Sequence, residues 1–373
     1  MEEPIYVITN RACRKDSDKG GYILRDVVNP KGPKELRILR ASPKDQGRLD
    51  RWDFQLIPDK PKKGDFQGLD MCFIRKRRRF AGSDLAAAEL VKRLRERRRN
   101  LVIFVHGYNN TVEDALRRAW GIRKQYGVEV VVFTWPANGG GDNFIEDLHG
   151  TASYISDKSD ARSSTGALDR ALSRMQGIVS DLNATVFDEA RSAAETESPN
   201  NREEQRRSMS RYLRANSCPF NVTLLAHSMG NYLLKKTIQS SGERLSRGTF
   251  FDNVILKAAD TNHDDHKSWV EEIKVRRRVY ILINQDDNAL KLSTLKVGEA
   301  QQPRLGNTLA EQTATNATYL DVTGSIGDEH SYFCKTDVET APSRLWEFFE
   351  QSLNGRSAGD DLDYQVDTNT YRV

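Results

Sequence analysis

The chain has 373 residues, 38% of them hydrophobic, enough to bury a sizeable core in one large or two modest domains. No run approaches the ~20 apolar residues that cross a bilayer, and the opening Met-Glu-Glu-Pro lacks the basic and apolar regions of a secretory signal, so a cytoplasmic location with no transmembrane segment is expected. The net charge of +4 and four scattered cysteines (Cys13, Cys72, Cys218, Cys334) with no C-x-x-C spacing argue against a strongly basic nucleic-acid binder, a disulfide framework and a zinc site.

Residues 1–80 hold short β-like runs at Ile5–Thr9, Tyr22–Val28, Leu36–Leu39, Trp52–Ile57 and Met71–Ile74, broken by Gly and Pro clusters. They predict a β-rich, antiparallel extension. The basic run Arg75–Arg79 follows, and with Arg97–Arg99 and Arg276–Arg278 it is the one feature suited to phosphates or to peripheral contact with an anionic membrane. No aromatics interleave these runs, so nucleic acid is disfavoured and solvated rims or helix ends are the plainer reading. Ser83 is the expected N-cap of an amphipathic helix reaching about Arg98.

From residue 81 to about 354 the pattern alternates. Leu101–Val105, Val128–Thr134, Asn221–Ala226, Asn253–Lys257, Val279–Asn284 and Ala317–Val322 are nearly continuous apolar or β-branched runs, as strands buried on both faces require. Helical periodicity falls between them at about 112–126, 164–187, 229–240, 264–274 and 342–353. Together they predict an α/β fold with a mainly parallel sheet covered on both sides. Two polar stretches, 137–163 with Gly139-Gly140-Gly141 and 188–217 rich in Glu, Arg, Ser and Asn, interrupt the rhythm as candidate lids, the second equally a disordered or helical surface insert. Residues 355–373 read as a polar tail.

The chemistry concentrates at four strand ends. Ala226-His227-Ser228-Met229-Gly230 stands between a strand and a helix, with small residues two before and two after the serine, as a sharp turn carrying an exposed nucleophile needs. The Met229 amide is one candidate oxyanion donor. Val105-His106-Gly107-Tyr108-Asn109 closes an earlier strand and offers the Tyr108 amide as the second. His106 is expected to brace that loop rather than act as base, and His227 to pack in the elbow. His330, beyond the last long strand, is the candidate base, and Asp286 or Asp287, after Val279–Asn284, the candidate acid, with Asp260 as a third choice. Cys334 has no elbow and reads as a bystander thiol; His149, His263 and His266 need no special role.

With those residues in place, the chain resembles the bacterial α/β-hydrolase family known as domain of unknown function 900. The shared signatures are VITNR from Val7, HGYNNTVEDALRRAW from His106, FTWPANG from Phe133, the Tyr154 segment with Asp157 and Ala161, LLAHSMGN from Leu224, Ala258-Ala259-Asp260, DDNALKLS from Asp286, Arg304-Leu305-Gly306 and HSYF from His330. The resemblance implies an α/β-hydrolase fold and a triad of Ser228, His330 and Asp287, leaving Asp286 and Asp260 as alternative acids. Lys257-Ala258-Ala259-Asp260 departs from the family's Ala-Ala-Pro-Asp, and the 188–217 insert is longer than usual.

The expected function is hydrolysis of a carboxylic ester, lipase- or esterase-like, through an acyl-enzyme, with a small-molecule or lipid acyl ester as substrate and no metal or organic cofactor. Thioesterase or amidase activity on the same triad, and a non-catalytic binding or scaffold module, are the alternatives.

Overall fold

A computed structural model of the chain describes residues 3–16, 21–45, 48–69, 74, 78–137, 150–216, 220–241, 249–295, 302–338 and 343–373. The run 71–73, Arg75 to Arg77, Gly139 to Gly141, His149, Cys72 and Cys218 lie outside the described residues. Two compact units can be distinguished, the first built from 1–56, 100–171 and 221–373, the second from 57–99 and 172–220.

The first unit carries the central sheet. In chain order its strands are β1 (Ile5–Thr9), β2 (Arg11–Lys15), β3 (Tyr22–Val28), β4 (Arg37–Asp45), β5 (Arg48–Leu56), β6 (Leu101–Val105), β7 (Glu129–Thr134), β8 (Val222–His227), β9 (Phe251–Lys257), β10 (Val275–Ile283), β11 (Ala317–Asp321), β12 (Asp363–Gln365) and β13 (Thr370–Arg372). Among the described residues, eleven of these form one sheet in the order β12-β13-β11-β10-β9-β8-β6-β7-β1-β4-β5, while β2 and β3 pair as a separate ribbon. From β13 across to β1 every pairing is parallel, and β1–β4, β4–β5 and β12–β13 are antiparallel. This is the α/β-hydrolase fold with an antiparallel N-terminal extension. Strands β6 to β9 are buried at every residue, which is why their middles are apolar without alternation, with buried polar residues such as Glu129, Asp252, Asn253 and Lys257 towards their ends.

Helix α2 (Val112–Tyr126) starts with a reciprocal cap between Thr111 and Asp114 and ends at Gly127, whose φ of 63° closes the turn. Helices α5 (Met229–Ser241), α6 (His266–Val270), α7 (Asn288–Leu295) and α8 (Ser343–Leu353) follow their strands, and α8 packs Leu345, Phe348 and Phe349 into the core. Helix α7 had no counterpart in the periodicity. The expected polar tail is instead structured: β13 pairs with β11, Thr370 is fully buried, and the Val373 amide donates to Asp321 O at 3.1 Å.

Helix α3 runs from Gly150 to Glu197, so the described part of the candidate lid at 137–163 is mostly its first turns, and the described part of 188–217 is its end together with α4 (Arg202–Asn216). Tyr154, Asp157, Ala161, Ser164 and Leu168 are all at most 2% exposed and fall at helical spacing. The stripe is half polar, which hid it from an apolar periodicity. No helix among the described residues is long and apolar enough to cross a membrane.

The second unit contains α1 (Gly82–Arg97), the 3₁₀ turn Lys63–Phe66, the later turns of α3 and α4. Ala81, not Ser83, is the N-cap of α1: Asp84 Oδ2 accepts the Ala81 amide at 2.8 Å, while Ser83 and Asp84 both take hydrogen bonds from Arg174. A carboxylate at the third helical position satisfies the N-cap amide, the half of a capping box that needs no side-chain oxygen on the cap residue itself.

Candidate functional site

The sharp turn expected at Ser228 is present. β8 ends at His227, α5 begins at Met229, and Ser228 between them has φ 53°, a left-handed conformation that is strained for a residue with a side chain. Two glycines let another strand end close over it. A Cβ on Gly107 would fall 2.6 Å from Ser228 Cβ, and one on Gly230 would fall 2.7 Å from the carbonyl oxygens of Val105 and His106. The end of β6 and Gly107 are therefore pressed against the turn, and Tyr108 follows Gly107 into the cavity wall. The Met229 amide belongs to the first turn of α5, where N–H groups have no intrahelical acceptor.

His106 braces this loop. It is fully buried and stacks on Trp135 at 5.4 Å with an interplanar angle of 3°. Its Nδ1 lies 2.9 Å from Gly107 O, which can only accept, so Nδ1 carries the proton and Nε2 accepts from Thr134 Oγ1 and the Trp135 amide. Burial, then the nearby Arg11, lowers its pKa to about 3, so the ring stays neutral. Arg11, itself buried and paired with Asp26, donates in turn to Thr134.

Across the sheet, His330 Nδ1 lies 2.7 Å from Asp287 Oδ2. Asp287 is fully buried and its other oxygen accepts the Leu290 amide at 3.0 Å, so the carboxylate caps α7 while holding the imidazole. Because the carboxylate accepts from Nδ1, the neutral ring presents its lone pair at Nε2. Among the described residues no hydrogen bond joins Asp286 or Asp260 to His330; the Asp286 main-chain amide donates to Asn284 Oδ1 at 3.1 Å and Asp260 enters a separate cluster. Ser228 and His330 line one cavity of 320 Å³, with no direct hydrogen bond between them, a separation common when no substrate is bound.

Residues 83–188 and 182–325 match the family described as an alpha/beta hydrolase of unknown function (DUF900). The chain belongs to that family. No curated protein matches it. Membership supports a hydrolase and leaves the substrate to the site itself.

Several residues behind the cavity wall or in it carried no role in the sequence reading. Lys257, at the end of β9, is fully buried and donates to His330 O at 2.9 Å, with its Nζ 3.5 Å from the Tyr332 ring centre and 4.2 Å from that of Phe333. Burial lowers its pKa well below the usual amine range. His227 Nε2 donates to the same carbonyl at 3.1 Å, and burial, with Lys257 next in effect, keeps that ring neutral. A lysine closing the apolar run Val254–Leu256 was the available signal. Tyr154, Ser293, Asn109, Asn110, Arg118, Glu329 and Ser331 complete much of the cavity wall. Asn109, at φ 52°, is held through its amide by Asp157 on α3 at 3.2 Å.

Other candidate side chains take structural partners. Cys334 is buried and its thiol is pushed up to about 12 by that burial, the opposite of a nucleophile. His266 bridges His263 O and the Tyr319 hydroxyl. In the third basic run Arg276 pairs with Asp252 and Arg278 with Asp360.

Proposed function

We propose that this protein is a serine hydrolase that cleaves carboxylic esters through an acyl-enzyme. Ser228 Oγ attacks the ester carbonyl as His330 Nε2 takes its proton, and the Tyr108 and Met229 amides stabilise the oxyanion. Collapse of the tetrahedral intermediate breaks the C–O bond, the imidazolium returns its proton to the leaving alcohol, and water repeats the sequence to release the acid. Asp287 fixes the tautomer and stabilises the charged ring in transit. The observation that carries this reading is the 2.7 Å His330–Asp287 pair opening on the cavity that holds the strained Ser228.

The test is Ser228→Ala assayed on short acyl esters. Turnover should fall by roughly 10⁴- to 10⁶-fold with the urea midpoint unchanged. Hydrolysis at the wild-type rate by that variant would refute the proposal.

A further inference from the structure

The loop that carries the Tyr108 amide is fixed one peptide at a time. The peptide between Gly107 and Tyr108 is held at its carbonyl, where His106 Nδ1 donates to Gly107 O at 2.9 Å, and its N–H is the proposed oxyanion donor. The next peptide is held at both ends: Asn110 Nδ2 donates to Tyr108 O at 2.5 Å, and Asp157 Oδ2 accepts the Asn109 N–H at 3.2 Å. Beyond it, Arg11 Nη2 donates to Asn110 O at 3.2 Å. Tyr108 thus sits between two clamped peptides.

The Asp157 carboxylate is fully buried on α3, with the buried Arg11 in its field, and it reaches a main-chain amide 48 positions earlier in the chain. A buried carboxylate is costly unless hydrogen bonds and opposite charge compensate it, and a bond from an N–H to a charged acceptor is about twice as strong as a neutral one. What this bond holds is an unfavourable turn. Of the two turn residues Tyr108 and Asn109 only the second has a positive φ, 52°, the type II arrangement that suits glycine and that asparagine tolerates. Turning the central peptide over would give the type I arrangement, ordinary for any residue, and would swing the Asn109 N–H away from Asp157 and Tyr108 O away from Asn110 Nδ2. The same stretch of α3 sets the Tyr154 ring edge-on to the Tyr108 ring, with centroids 5.7 Å apart.

We propose that Asp157 is a positioning residue for the oxyanion site: by holding the peptide after Tyr108 it keeps the Tyr108 amide aimed at the substrate oxygen. The proposal rests on Ser228 being the nucleophile and deepens that reading. Asp157 does not line the cavity and acts through the loop, so its effect belongs to the transition state, where the oxyanion forms, rather than to substrate binding.

Two variants and a boronic acid test it. Phenylboronic acid adds to Ser228 Oγ as a tetrahedral boronate, one oxygen of which takes the oxyanion position. Asp157→Asn keeps the shape and replaces a charged acceptor by a neutral one, and Asp157→Leu removes the acceptor. On p-nitrophenyl acetate, kcat should fall about threefold to tenfold in Asp157→Asn and about tenfold to a hundredfold in Asp157→Leu, short of the roughly 10²- to 10³-fold that follows outright loss of an oxyanion donor. KM should change little, and the boronate Kd should rise by the same factor as kcat falls. In an Asn109→Gly background the loss from either Asp157 variant should shrink, because glycine takes the left-handed conformation at little cost; a packing defect would not be rescued in that way. Asp157→Asn carries the test alone if Asp157→Leu does not fold. Wild-type kcat in either folded variant, a loss of kcat with unchanged boronate affinity, or an undiminished loss in the glycine background overturns the inference. Fluorophosphonate labelling of the wild type separates the two claims: with Ser228 labelled, those outcomes defeat this inference alone, and no labelling of folded protein defeats the serine-hydrolase reading beneath it as well.

Discussion

Nζ of Lys257 lies 2.9 Å from the carbonyl oxygen of His330, and His227 donates to the same oxygen. The main chain of the candidate base is thus pinned from β9 and β8 while its ring is pinned by Asp287. Lys257→Met keeps the length of the side chain and removes one of the two donors. It should lower kcat by about tenfold to a hundredfold with little change in KM, since a small misplacement of a reacting group is costly. Unchanged kcat in a folded variant would show that the second donor suffices.

Asp287 and its neighbour separate cleanly. Asp287→Asn should reduce kcat by about 10⁴-fold, because an amide can present its N–H to Nδ1 and reverse the tautomer. Asp286→Asn, whose carboxylate does not meet His330, should stay close to wild type. Equal losses in both variants, measured by steady-state ester hydrolysis, would undo the assignment of the acid.

Gly306 passes against the end of β9, where an added Cβ would fall 2.2 Å from the Ala259 amide nitrogen and 2.6 Å from the Ala258 carbonyl carbon. Both neighbours are backbone, so neither can rotate away. Gly306→Ala should cost on the order of 1–3 kcal/mol of stability, seen as a lower urea midpoint, and should disturb the Asn284–Gly306 hydrogen bond near the base loop. A midpoint equal to wild type would contradict the close approach.

Burial keeps His106 and His227 neutral, the former down to about 3. A free imidazole takes up its proton near ~6.5. Between those values the unfolded chain binds more protons than the folded chain, so stability rises with pH across the window and is lost as pH falls through it. Urea midpoints should drop from neutral pH towards about pH 4, and the drop should be smaller in His106→Asn. A profile no flatter in that variant would contradict the neutral buried ring.

Where apolar burial decides the structure, the sequence is readable: the runs beginning at Leu101, Asn221 and Asn253 became strands β6, β8 and β9, buried throughout, and Ala226 to Gly230 became the strained turn. What was hidden is held by polar contacts. The start of α3 buries Tyr154, Asp157 and Ser164 along one stripe, so it read as a polar lid. Residues 363–372 pair edge to edge with little apolar surface, so they read as a tail. Asp286 and Asp287 were indistinguishable by position after β10; only the cap on Leu290, set by where α7 begins, turns Asp287 towards His330. The role of Lys257 depends on a loop more than seventy positions away in sequence.

The decisive measurement is mass-spectrometric mapping of the residue modified when the folded protein is treated with a fluorophosphonate probe. A single adduct on the peptide containing Ser228, formed rapidly in the wild type and strongly slowed in His330→Asn, is expected. An adduct elsewhere, no adduct on folded protein, or equal labelling rates in the two proteins would contradict a serine activated by His330.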